Sequence, residues 1–340
     1  MSQLILTAQP LDLELARPFT ISRGSRTVTG NVLVTLEQDG IQGHGECAPN
    51  VRYGQSQASS LEALADFALA ASADAREPLS ILEDFDAAFP QETATRAGLS
   101  SALFDWFGRS TGRPLYRLLA LEAFPTPHSS FTISIDDPDG IRTRVLEAGR
   151  WPVLKVKMGG GDSDLRAIST LREHTSRPFR VDANESWDEL EAVEKIEWLA
   201  GQGCELVEQP LPAGQLEAMA RLKATSPIPL VADEDAEFFE DLELLADAFH
   251  GINVKLAKCG GIREAVHMIH RARSVGLDVM LGCMVESSLG IAAAAHLSPL
   301  ARWADLDGAA LLRHDPCRPS IVHEGTIHIP NGPGLGVEPI

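Results

Sequence analysis

Basic residues are scarce in this chain. Its 340 residues carry 29 Lys and Arg against 48 Asp and Glu, a net charge of −19. Non-specific nucleic-acid binding needs a basic face, so that class of partner is excluded. Small anionic substrates remain open, because a metal ion and a few lysines can reverse the field locally. Cysteine is also sparse: Cys47, Cys204, Cys259, Cys283 and Cys317 are odd in number, scattered, and form no CxxC pair. Neither a disulfide framework nor a zinc site is indicated, and a reducing cytoplasm is the expected setting. The N-terminus, MSQLILTAQPLDLELARPF, has no basic stretch ahead of an apolar one, so no secretory leader is read. No apolar run reaches the roughly 18 residues of a spanning helix, and no membrane partner is expected. A GxGxxG loop after the first strand is missing as well, which counts against an open dinucleotide-binding sheet.

What is present has an ordinary globular composition, 44% hydrophobic and 23% charged. The length suits one large barrel with an appendage, or two domains. Residues 1–50 read as strands, with a hairpin turning at Asp39-Gly40. Between its strands the polar stretch FTISRGSRTVTG reads as an exposed loop. From about Ser56 to Leu121 the apolar spacing becomes helical, in SLEALADFALAASA, LEDFDAAF and TRAGLSSALFDWFGRSTG. From Ser129 strands and helices alternate. SFTISI, VLKVKM, FRVDAN, CELVEQP, PLVADE, GINVKL, DVMLGCM and RWADLDG make eight strand-like runs. Between VLKVKM and FRVDAN, Asp162 or Ser163 is expected to cap the helix. Runs dominated by Val, Leu and Ile with helices between them predict a parallel βα barrel. The tail HEGTIHIPNGPGLGVEPI reads as one short strand packing back on the N-terminal part.

Asp182, Glu208 and Asp233 each close an apolar run, at intervals of about 25 residues, which is roughly one βα unit. Active-site residues of such barrels lie at the C-terminal ends of strands, so the three acids share one rim. An all-oxygen set suits Mg²⁺, with Mn²⁺ as a substitute. Asn184 and Glu234 lie just beyond two of these acids and could orient them. Lys155 and Lys157 are two apart on one strand and therefore share a face. Mutual repulsion and a nearby cation are expected to lower their pKa values and make one a base. Lys255 faces them from about four strands around the ring. Lysines on opposite sides of a metal-bound carboxylate point to 1,1-proton transfer, which is racemisation or epimerisation through a stabilised enediolate.

KVKM, VDANESW, VEQPLP, ADE and NVKLAKCGG resemble the enolase superfamily, in its muconate-lactonizing subgroup. That resemblance covers nearly the whole chain. It implies an α+β capping domain (1–122), a (β/α)7β TIM-like barrel (123–315) and a C-terminal tail (316–340) completing the cap. It implies a Mg²⁺ site at Asp182, Glu208 and Asp233, with Lys157 and Lys255 as acid/base lysines. Lys155 would support Lys157 and the enolate, and Lys157 would act on the L substrate. More narrowly, ISRGSR, GECAPNVRYGQS, EQPLPA, MLGCMVESS and ADLDG are similar to the L-Ala-D/L-Glu dipeptide epimerases, with a role in peptidoglycan recycling. Asp305 and Asp307 look like that group's DxD motif for the dipeptide ammonium. An i,i+2 acid pair on a strand would present both carboxylates on one face. Arg23 and Arg26 are candidates for the glutamate side-chain carboxylate. The loop around Tyr53-Gly54 would close the site, and Cys283 and Glu286, on the seventh run, would help to set the dipeptide preference.

Muconate cycloisomerase and o-succinylbenzoate synthase are the alternatives on the same scaffold, but their substrates carry no ammonium for Asp305 and Asp307. An acid-sugar dehydratase would place a His–Asp pair where Lys255 stands. The expected partner is thus a small dipeptide. Barrels of this class often assemble, so a homo-oligomer stays open, but no interface is legible.

Overall fold

The computed structural model describes residues 2–67, 73–239 and 242–340. Strands β1 (Ile5–Ile21), β2 (Gly24–Gln38) and β3 (Ile41–Cys47) form an antiparallel sheet in that order. Asp39 and Gly40 both take positive φ, 53° and 77°, as a tight hairpin turn requires. The stretch expected as an exposed loop is instead a second hairpin. Phe19 pairs with Arg26 and Ile21 with Gly24, so only Ser22 and Arg23 turn. Thr, Ile and Val alternate with polar residues there, and that pattern favours strand over coil. The pairing slips between Glu14 and Phe19. At that slip the chain bends against the barrel, where Arg313 N donates to Glu14 O (2.8 Å).

Three helices follow: α1 (Gln57–Asp66), α2 (Pro78–Ala88) and α3 (Thr93–Thr111). The first helical reading runs on past α1, and its residues 68–72 lie outside the described residues. α3 lies on β3 because Gly43 and Gly45 have no side chains. A Cβ on Gly45 would meet Gly98 O at 2.0 Å. Val32, Val34, Leu36, Leu99, Leu103 and Trp106 form the core of this layer.

The barrel has eight parallel strands: β4 (Ser130–Ile133), β5 (Val153–Lys157), β6 (Phe179–Asp182), β7 (Cys204–Glu208), β8 (Leu230–Ala232), β9 (Gly251–Val254), β10 (Asp278–Gly282) and β11 (Trp303–Asp305). Their spatial order follows the chain, and a bridge between Ser129 and Ala304 brings the first and last edges together. Each successive pair of strands is joined through a helix, so the order is (β/α)7β. The strands are almost wholly buried because side chains fill one face and helices cover the other. The helix Asp162–His174 has no side-chain cap from Asp162 or Ser163, contrary to expectation. Gly161 takes the cap position, and the Asp164 carboxylate accepts from Gly159 N (3.0 Å) and Gly160 N (3.1 Å). The glycine run lets the backbone fold onto that carboxylate.

The tail forms more than one short strand. Val322–His323 pairs with Thr326–Ile327, and Glu338–Pro339 pairs with Cys317–Arg318. It reaches α3 through Leu335 N to Asp105 Oδ1 (2.7 Å), and the barrel through Ser129 N to Gly325 O (2.9 Å).

Candidate active site

The register that ends the strands also sets the acids. Asp182 and Glu208 are the last residues of β6 and β7 and are paired neighbours across them. Asp233 follows β8 directly, and Lys255 follows β9. Carboxylate oxygens of Asp182, Glu208 and Asp233 lie within 4.8 Å of one another, all buried. Asn253 Nδ2 donates to Glu208 Oε1 (2.8 Å). Glu208 Oε2 lies 2.6 Å from Lys155 Nζ but has no hydrogen bond aligned on it. A buried, unbonded carboxylate oxygen beside two more carboxylates is the donor set of a hard divalent cation, so these residues fit one.

Lys155 and Lys157 do share a face: their ammonium groups lie 3.0 and 2.6 Å from Asp182 Oδ2. Lys155 also contacts Asp305 Oδ2 at 2.6 Å. The Lys155 ammonium is surrounded by acids. Burial does oppose its charge, but Asp182, Asp305 and Glu208 hold it well above the ordinary value. Lys255, 2.7 Å from Asp233 Oδ2, is likewise held up by Asp233 and Glu208 against burial. The same ion pairs keep Asp182 and Asp233 below the usual carboxylate range despite burial. Burial and Asp182 push Glu208 up to about 8.

Asn184 and Glu234 join the first and third acids. Asn184 N donates to Asp182 Oδ1 (3.0 Å), and its Nδ2 to Glu234 Oε1 (3.4 Å). Burial and Asp233 raise Glu234 to about 6. Asp305 and Asp307 reach one cavity but not one strand face, because β11 ends at Asp305. Asp305 is held by Lys155 and by Ser130 Oγ (2.7 Å). Asp307 Oδ2 accepts from Thr132 N (2.6 Å), and burial and Asp305 push its carboxyl up to about 7.

The two arginines separate. Arg23 is committed: it bridges Glu185 (3.0 Å) and Glu234 (2.8 Å). Arg26 has no carboxylate partner among the described residues and lies over Phe19, 5.6 Å from its ring centre. Both line the cavity, together with Tyr53, Cys283, Lys157 and Lys255. Tyr53 ends the turn Val51–Tyr53, where Asn50 Oδ1 accepts from Arg52 N (3.0 Å). Burial and Asp233 push its phenol up, so it stays neutral. Cys283 Sγ donates to Asp305 O (3.3 Å). Glu286 does not line the cavity; its Oε1 accepts from Met284 N (2.7 Å) and closes that turn. Residues not singled out from the sequence also matter here. Glu185 accepts from Arg23, Arg52 and Ala213 N, which ties both cap loops to the rim. Asn31 Nδ2 donates to Val285 O (2.9 Å), and Glu46 accepts from Ser287 N (3.0 Å). These cap residues set the 283–287 wall; Glu46 lies within GECAPNVRYGQS, but nothing in that stretch assigns it this contact. Space that a water-sized sphere can occupy totals about 70 Å³, enough for a handful of waters.

Two family models cover the chain. The "Mandelate racemase / muconate lactonizing enzyme, N-terminal domain" matches residues 5–120, and "Enolase C-terminal domain-like" matches 140–340. The chain belongs to the enolase superfamily. Within this superfamily it is similar to the L-Ala-D/L-Glu epimerase of Bacteroides thetaiotaomicron, 39% identical over 334 residues, covering 98% of this chain and 87% of that protein. It is similar to the L-Ala-D/L-amino acid epimerase of Pedosphaera parvula, 38% identical and covering 95% of each. A crystal structure of the Cytophaga hutchinsonii dipeptide epimerase, complexed with Mg and D-Ala-L-Val, superposes with a TM-score of 0.93. That pair is 28% identical and the match covers 100% of this chain and 96% of that one.

Proposed function

We propose that this superfamily member is a Mg²⁺-dependent dipeptide epimerase that inverts the α carbon of the C-terminal residue. The observation that carries the reading is the convergence of Lys157 and Lys255, from β5 and the end of β9, on one cavity beside three buried carboxylates. Asp182, Glu208 and Asp233 would hold the Mg²⁺, or Mn²⁺ in its place. The bound ion supplies positive charge that binds the substrate carboxylate and stabilises the enediolate. Lys157 takes the α proton of the L substrate on one side. Lys255 returns a proton on the other, and the roles reverse for the D substrate. Lys155 adds fixed charge beside the developing enediolate. Asp182 and Asp233, which pair with Lys157 and Lys255, are two of the three acids that would hold the ion.

Asp305 and Asp307 take the ammonium, with Asp307 the freer of the two. Arg26 is the unpaired cation that selects an acidic side chain, and this favours L-Ala-D/L-Glu. Arg23 instead holds the hairpin closed. Tyr53 and Cys283 wall the cavity, and Glu286 shapes it indirectly. The five free thiols support a reducing, cytoplasmic setting. No helix among the described residues is long and apolar enough to cross a membrane.

The test is a dipeptide library with Mg²⁺ in D2O, read by NMR. Exchange and inversion at the C-terminal α carbon are expected, strongest for L-Ala-L-Glu, and lost on chelation. No exchange on any dipeptide, with turnover of a muconate or succinylbenzoate precursor, would transfer the reading to those lyase-type members.

A further inference from the structure

Lys258 is buried and takes no part in the chemistry above. It stands on the short helix Leu256–Cys259, one turn after Lys255, and its side chain is 0% exposed. It does not line the cavity. Each hydrogen bond described for its ammonium goes to one residue, Asp233: the backbone O (2.5 Å) and Oδ1 (2.6 Å). Asp233 Oδ2 is left to Lys255. A lysine taken fully out of water is costly unless its partner needs it. The short helix is itself clamped by the capping domain. Thr93 Oγ1 donates to Ala257 O (3.0 Å) and Arg96 Nε to Gly260 O (3.0 Å).

We propose that Lys258 is a positioning residue, which fixes the orientation of Asp233 and thereby the cation site and the station of Lys255. Two bonds to one residue, one on its backbone and one on its carboxylate, lock both the strand-end turn and the side-chain rotamer. Oδ2 keeps its freedom to face the site. The capping domain thus reaches the third acid through α3 and Lys258 without touching the cavity. This rests on the reading that Asp182, Glu208 and Asp233 hold a divalent cation.

The test measures Mn²⁺ affinity by electron paramagnetic resonance, without substrate, for the wild type, Lys258→Met and Lys258→Gln. The expected result is a Kd raised about 10- to 100-fold in Lys258→Met, as for groups that orient a metal ligand, and partly restored in Lys258→Gln, which keeps a donor. Lys195→Met is the comparison. That buried lysine holds Asp164 and Glu191, each at 2.5 Å, so its loss should lower Tm and leave the Mn²⁺ Kd unchanged. If Lys258→Met does not fold, Lys258→Gln carries the measurement. A Kd within about twofold of wild type in folded Lys258→Met, or in Lys258→Gln where Lys258→Met does not fold, overturns the role of Lys258 alone. Failure of the wild type to bind Mn²⁺ overturns the cation reading together with it.

Discussion

The barrel rim and the two cap loops meet at one cavity but are built on different physics. On the rim, Asp182, Glu208 and Lys155 are buried on strands, and the Lys155 ammonium lies within 3.0 Å of both carboxylates. On the loops, the Arg23 and Arg52 side chains stay about one-third exposed, at 34% and 33%, and are held by Glu185. Removing one partner of a buried pair costs about 3–5 kcal/mol, whereas an exposed pair is worth about 0.2–1 kcal/mol. The rim is therefore suited to holding reacting groups still, and the loops to opening and closing. Specificity and access can change in such a protein without disturbing its acid/base machinery.

The sharpest break in this comparison is on the rim. Lys157→Ala and Lys255→Ala should each lower epimerisation by about 10²- to 10⁴-fold, and each should keep α-proton exchange from at most one configuration. NMR in D2O reads this directly; exchange from both configurations in either variant contradicts a two-base scheme. Arg26→Met should raise KM for acidic dipeptides about 10-fold or more, the size expected of one lost charged hydrogen bond, and leave apolar ones near wild type. Equal losses on both substrate classes, measured side by side, would assign Arg26 to the scaffold instead. The smallest effect is expected at Glu185→Ala, which frees Arg52 and leaves Arg23 on Glu234 alone. KM should rise about threefold to tenfold, the worth of two partly exposed pairs, with kcat maintained. A loss of kcat at unchanged KM would place Glu185 with the rim.

Much of the rim is legible in the sequence. Strand ends in a barrel recur with the length of the βα unit, and inward-facing residues recur in twos. Asp182, Glu208, Asp233 and the Lys155–Lys157 pair are therefore visible as a local pattern. The loops are not. FTISRGSRTVTG reads as a polar loop because its glycines and serines suggest coil, while its alternating Thr, Ile and Val extend β1 and β2. Arg23 and Arg26 look equivalent in the sequence. They differ because Arg23 meets Glu234, 211 residues away, at the hairpin tip, while Arg26 lies over Phe19.

By itself the sequence determined the barrel order, the three acids and the facing lysines, because backbone periodicity places all of them. Only the tertiary structure decided how their charges are shared. It gave Asp233 two lysines, set Asp307 beyond the end of β11, and surrounded Lys155 with three carboxylates that hold its charge. The physical reason is that a buried charge takes its properties from every group within a few ångströms, and most of those groups lie far away along the chain.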